Sequence, residues 1–104
     1  MTTILVIDSD KRIAESIAEI LRAEEMVTSI ATEGEEALRH LDEEPPDAVV
    51  LSLGSPGSWE NDRCREIRER TIAPLLVVGK RGQEFALARS LNAGGDAHVF
   101  KPFT

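Results

Sequence analysis

The chain has 104 residues, 41% hydrophobic and only 4% aromatic, with a formal net charge of −7. This is one domain with enough apolar residue for a packed core of Ile, Leu, Val and Ala, which excludes a disordered chain, and the acidic balance disfavours direct contact with nucleic acid or an anionic membrane. No apolar run approaches the roughly 18 residues of a membrane span, no basic stretch precedes the first strand as in a signal peptide, and the single Cys64 has no internal disulfide partner, so the expected location is the cytoplasm.

Ile4-Leu5-Val6-Ile7 reads as a first buried strand ending in Asp8-Ser9-Asp10. Asp10 is suited to cap the next helix, or Ser9 one residue earlier. Over 11–23 the apolar residues Ile13, Ile17, Ile20 and Leu21 make a helical stripe. Met26–Ala31 is a short second strand. Thr32 and Glu35 have capping-box spacing, and the helix that follows turns Ala37, Leu38 and Leu41 inward and stops before Pro45-Pro46.

The third strand organises the rest. Asp47-Ala48-Val49-Val50-Leu51-Ser52-Leu53 is an apolar run suited to burial on both faces, and Gly54, Pro56 and Gly57 end it. Ser52 falls at its carboxyl end, where open α/β sheets place their chemistry. A third helix from about Trp59 or Asn61 to Arg70 turns Cys64 and Ile67 inward. It carries Arg63, Arg65, Arg68 and Arg70 mostly outward, beside Glu60, Asp62, Glu66 and Glu69 for local pairing. Pro74–Val78 is a fourth strand ended by Gly79-Lys80-Arg81-Gly82. A helix over about 83–92 turns Leu87, Ala88 and Leu91 inward, with Gly94 as its C-cap. Ala97–Phe100 is a fifth strand, followed by Lys101-Pro102-Phe103-Thr104.

Strict β-α alternation predicts a doubly wound, five-stranded parallel sheet of flavodoxin-like type, strand order 2-1-3-4-5, with helices on both faces. Four helices cannot cover both faces of five strands. The expectation is that the fifth helix is missing from this chain, either because the chain has been cut or because that helix lies beyond it, or that another chain covers the gap. Without a fifth helix the bare face should drive association or domain swapping.

Asp8 and Asp10, Ser52, and Lys101-Pro102 converge on one crevice. The whole chain resembles the receiver domain of bacterial two-component response regulators. The resemblance rests on Ile4–Asp10, on Pro46–Leu53 with Pro56 four residues after Ser52, and on Cys64–Arg68. Ala73-Pro74, Ala93-Gly94-Gly95-Asp96 and Lys101-Pro102-Phe103 complete it. It implies a chemistry of five groups. Two acids after the first strand and an aspartate after the third hold Mg²⁺. That aspartate accepts a phosphoryl group, while the metal and a lysine neutralise the developing charge. A Thr or Ser after the fourth strand and an aromatic residue on the fifth form the switch.

Matched position by position, the phosphorylation machinery is gone. Asp8 keeps the first acid, but the second is Ser9, with Asp10 one residue further on. The phospho-acceptor position is Ser52, a weak nucleophile with no histidine beside it. The switch positions are Gly79 and His98. Lys101 is kept, with Pro102, whose preceding bond is often cis in this family. The pocket would consist of Asp8, Ser9, Asp10, Gly79 and Lys101, with Asp8 paired to Lys101. No cofactor is expected, and Mg²⁺ binding by the residual Asp8 and Asp10 should be weak or lost.

The expectation is a pseudo-receiver: not an enzyme, but the N-terminal part of a longer atypical response regulator that works without phosphorylation. It would act on a protein partner or a second copy through the helix 4–strand 5 side. DNA would be reached only through an output domain that this chain lacks, and no membrane is involved. Two alternatives stay open: an anion or small-molecule sensor using the vacated pocket, and a receiver phosphorylated at Ser52 or Asp10. Ser52 reads as a small filler of a disused site, His98 as an edge residue rather than a pH switch, Cys64 as core, and Lys80-Arg81 as solvated. Trp59 is either a partner anchor or loop packing.

Overall fold

The computed structural model describes residues 1–101, Lys101 by its backbone alone. The elements run β1 (Thr3–Ile7), α1 (Lys11–Ala23), β2 (Val27–Ala31), α2 (Gly34–Glu43) and β3 (Ala48–Ser52). After these come a 3₁₀ turn (Trp59–Asp62), α3 (Cys64–Arg70), β4 (Leu75–Lys80), α4 (Glu84–Asn92) and β5 (Ala97–Lys101). All strands are parallel, in the order β2-β1-β3-β4-β5. The fold is therefore the expected one, with five strands and, among the described residues, four α-helices.

Alternation along the strands splits the core into two layers. Leu5, Ile7, Val49, Leu51, Leu75 and Val77 point to one face and pack with Ala37 and Leu41 of α2, Cys64 and Ile67 of α3, and Leu87 of α4. Ile4, Val6, Val50 and Val78 point to the other face and meet only α1, through Ala14 and Ile17. Three helices thus cover one face and one helix the other. Beside α1 an apolar groove of about 270 Å³ stays open, lined by Ile17, Ile20, Leu21, Val50, Leu76, Val78 and Val99. This is why Ile20, read as inward, is 49% exposed. Ala88 is exposed as well, and Ser90 takes the inward place on α4.

The caps follow local chemistry. The Asp10 side chain accepts from the N–H groups of Arg12 and Ile13 and so starts α1. The capping box at Thr32 does not form with Glu35. Glu36 reaches back instead and accepts from Thr32 N at 2.8 Å, while Glu33 occupies the N-cap position without a side-chain cap bond. The third helix begins later than expected, because Trp59–Asp62 winds as a separate 3₁₀ turn. β4 runs on through Gly79 and Lys80, since Gly79 pairs with Phe100 and Lys80 with Lys101.

The amino ends of the strands are clamped by two similar brackets. Thr3 N donates to Asp47 Oδ2 at 2.7 Å, and Asp47 N donates back to Thr3 O at 2.8 Å. Leu75 N donates to Asp96 Oδ2 at 2.7 Å, and Asp96 N donates back to Leu75 O at 2.8 Å. Arg68 reinforces the second bracket. It donates to Asp96 at 2.9 Å and to the carbonyls of Thr71, Ala73 and Gly94. Arg68 is therefore a structural hub and not an outward charge. Gly94 must be glycine here, since its φ is 127° and a Cβ would meet the Arg68 side chain. Among the other charges of this region, Arg63 pairs with Glu66, Arg70 with Asp42, and Asp62 with Arg89. Of these three pairs, only Arg63 with Glu66 is local to the helix.

The backbone N–H of Thr3 holds the Asp47 carboxyl below the usual carboxylate range, and the N–H of Leu75, helped by Arg68, does the same for Asp96. A carboxyl whose pKa is lowered by folding stabilises the fold above its unfolded pKa, and that contribution disappears as pH falls through the folded value. The urea midpoint should accordingly drop as pH falls below about 4. The drop should be shallower in the double variant Asp47→Asn/Asp96→Asn, measured by denaturant titration from neutral to acid pH.

Candidate functional site

β1 and β3 are neighbours, with Ile7 paired to Leu51. This register sets Asp8 and Ser52 side by side at the carboxyl end of the sheet. Both are fully buried. Ser52 Oγ donates to Asp8 Oδ2 at 2.5 Å, and Asp10 N donates to Asp8 Oδ1 at 2.9 Å. The buried carboxylate is thus met by a hydroxyl where a second carboxylate would repel it. The Asp10 carboxylate is spent on the helix cap and does not join the crevice.

Ser9 faces a group that reading the sequence missed. Its Oγ donates to Glu60 Oε1 at 2.8 Å. Glu60, expected to pair with the helix-3 arginines, is fully buried, and its Oε2 has no hydrogen-bond partner among the described residues. The 3₁₀ turn carries it in. Trp59 anchors that turn by donating from Nε1 to Thr32 O at 3.2 Å, and Asn61 accepts from Gly54 N at 2.9 Å and donates to Ser55 O at 3.0 Å. Trp59 is therefore loop packing, seated against the core.

The hydroxyl position falls on Gly79, near the end of β4, where a side chain would press on its neighbours. A Cβ on Gly79 would lie 3.1 Å from Leu87 Cδ2 and 3.2 Å from Gln83 Oε1. Gln83 ties the two loops of this side together. It accepts from Lys80 N at 2.8 Å and donates to Gly54 O at 2.7 Å. His98 is exposed on β5 and meets Phe100 edge to face at 5.7 Å between ring centres, while the Arg81 guanidinium sits 5.2 Å above the Phe100 ring. Arg81 is thus engaged, and Phe100 is the aromatic that packs on the core. Cys64 is buried, its Sγ donates to Ser90 O, and burial pushes its thiol pKa up, so it stays an unreactive core residue. The side chain of Lys101, its pairing with Asp8, and Pro102 lie outside the described residues.

The family pattern of the response regulator receiver domain matches residues 4–104. The chain belongs to that family. "Sensory transduction protein RegX3" of Mycobacterium tuberculosis is 32% identical over 104 residues, covering 100% of this chain and 46% of the relative. "DNA-binding response regulator MtrA" of Mycolicibacterium smegmatis is 34% identical over 100 residues, covering 96% of this chain and 44% of that protein. The chain thus spans less than half the length of these curated relatives. A two-component response regulator from Clostridium difficile superposes with a TM-score of 0.85 at 27% identity, over 100% of this chain and 86% of that one.

The receiver family's Mg²⁺ can be tested against these donors. A hard dication wants several oxygen ligands, carboxylates first. Positions 9 and 52 supply neutral hydroxyls, both donating to carboxylates, and Asp10 is turned away. Among the described residues no group of three or more His, Cys, Asp or Glu is placed to hold a metal. The donor set does not fit the family's metal.

Two substitutions probe this packing. Ser52→Ala removes a donor from a buried carboxylate and should cost about 1–3 kcal/mol in urea unfolding. Gly79→Thr, which restores the hydroxyl residue type, should cost about 1–3 kcal/mol by overpacking against Leu87.

Proposed function

We propose that this receiver domain signals without phosphorylation, through protein contacts, within a longer atypical response regulator whose output is transcriptional. The observation that carries this is the Ser52–Asp8 hydrogen bond: the acceptor position holds a buried hydroxyl that already donates to the residual acid. Ser52 is fully buried, and a neutral hydroxyl is a weak nucleophile. Closure of the Gly79 position by Leu87 and Gln83 supports the same reading. In this reading Mg²⁺ binding is weak or lost, and the domain is not an enzyme.

The contact surface in this proposal is the α4–β5 side, toward a protein partner or a second copy. Phe85 on α4 is 79% exposed there, and His98 and Val99 are exposed on β5. The RegX3- and MtrA-like relatives, more than twice as long as this chain, support an output domain in the whole protein, and the name of MtrA includes DNA binding. DNA would be met by that output domain, and the working location would be the cytoplasm. The sensor alternative loses support, because Ser9 and Ser52, the hydroxyls it needs, are bonded to Glu60 and Asp8.

Intact mass after incubation with Mg²⁺ and acetyl phosphate tests the proposal. The wild-type chain should gain no phosphate. A stoichiometric gain would overturn the reading, and its acid stability would tell a serine from an aspartate.

A further inference from the structure

We propose that Glu60 is a tethered plug, whose carboxylate fills the crevice between the Asp8–Asp10 turn and the Ser52–Gly54 stretch and keeps metal and phosphodonor out. This rests on the phosphorylation-independent reading and adds the residue that holds the site shut.

Three observations meet at this side chain. Glu60 is fully buried although it sits in a short turn rather than in the core of the sheet. Its Oε1 accepts from Ser9, the neighbour of Asp8. It also lies directly over Gly54, two residues after Ser52, so that a Cβ at position 54 would overlap it, with Ser58 Oγ and Cβ packed at the same spot. Glu60 therefore bridges the two loops that frame the crevice.

The departures from the family at positions 9 and 52 then form one set with Gly54. An acid at 9 would stand at hydrogen-bonding distance from the Glu60 carboxylate, an unfavourable like-charge pair in a part-buried place. An acid at 52 would face Asp8 in the same way. Any side chain at 54 would evict Glu60. Ser9 and Gly54 are the residues that tolerate an acid arriving from the 3₁₀ turn.

The plug is also releasable. Oε2 of Glu60 is buried without a hydrogen-bond partner among the described residues, so the carboxylate has exchanged hydration for little in return. Once its seat is disturbed, solvent is the better place for it.

The test uses the whole chain with Mn²⁺ as the probe, read as paramagnetic broadening of the backbone amide signals at positions 9, 52 and 54 in Ser52→Asp backgrounds. Thermal unfolding checks that each variant is folded. Ser52→Asp alone should remain closed. Ser52→Asp/Glu60→Ala should broaden at roughly tenfold lower Mn²⁺, because a crevice open in only a small fraction of molecules weakens apparent affinity by that fraction. Ser52→Asp/Gly54→Ala keeps the acid but fills its seat with a methyl group, and should open the crevice too. Ser52→Asp/Glu60→Gln keeps the volume and should stay closed. Equal Mn²⁺ affinity with and without Glu60 overturns the plug, and weaker affinity on removing it overturns the plug by making Glu60 a ligand. Phosphate on the wild-type chain would instead overturn the underlying reading, whatever the Mn²⁺ result.

Discussion

A buried carboxylate has to be answered by donors, and in this molecule Asp8 sets that demand. It sits at the end of β1, sealed from water, and takes the hydroxyl of Ser52 and the N–H of Asp10. Around it the crevice is built of hydrogen-bonded pairs: Ser9 with Glu60, Gly54 with Asn61, and Gln83 with both Gly54 and Lys80. The Ser9–Glu60 and Gln83–Gly54 bonds join one loop at the carboxyl end of the sheet to another. A site for moving a phosphoryl group needs charge to be stabilised as it develops. Here the polar groups are already spent on one another.

The two ends of the sheet are thus stitched by different means. At the amino end, Asp47 and Asp96 hold strand starts through backbone N–H groups, and Arg68 binds Asp96 and the carbonyls of Thr71, Ala73 and Gly94. These are charge-assisted bonds at partly solvated places. At the carboxyl end the central bonds are buried and run from neutral hydroxyls to acids. The faces differ as well. Three helices seal one face, and α1 alone leaves an apolar groove by Ile20 and Val99 on the other.

Much of this was legible in the residues. The apolar runs at 4–7, 49–51 and 75–78, separated by helical stripes, are signals of local period, and the parallel order follows from connection rules. The substitution of Ser52, Ser9 and Gly79 at the chemical positions is likewise a property of the string, once the family register is recognised. Helix starts were less legible. Glu35 and Glu36 both lie within reach of Thr32, and only the backbone path decided for Glu36. Ala88 and Ile20 fit their helical stripes. They are exposed because one helix lies at the edge of its layer and the other beside an uncovered face.

Glu60 marks the boundary between the two kinds of information. In the sequence it is one of several acids interleaved with arginines, beside Asp62, Glu66 and Glu69, and its pairing there is the natural inference. Neither spacing nor composition distinguishes it. The sequence by itself determined the sheet and its order and put a serine at position 52, because periodicity and residue identity are local facts. Only the tertiary structure decided that Glu60 turns inward, that Gln83 and Leu87 close the space at Gly79, and that Phe100 rather than His98 packs on the core. The seat of Glu60 against Ser9 joins loops 51 residues apart in the chain, and the bond from Gln83 to Gly54 joins loops 29 residues apart.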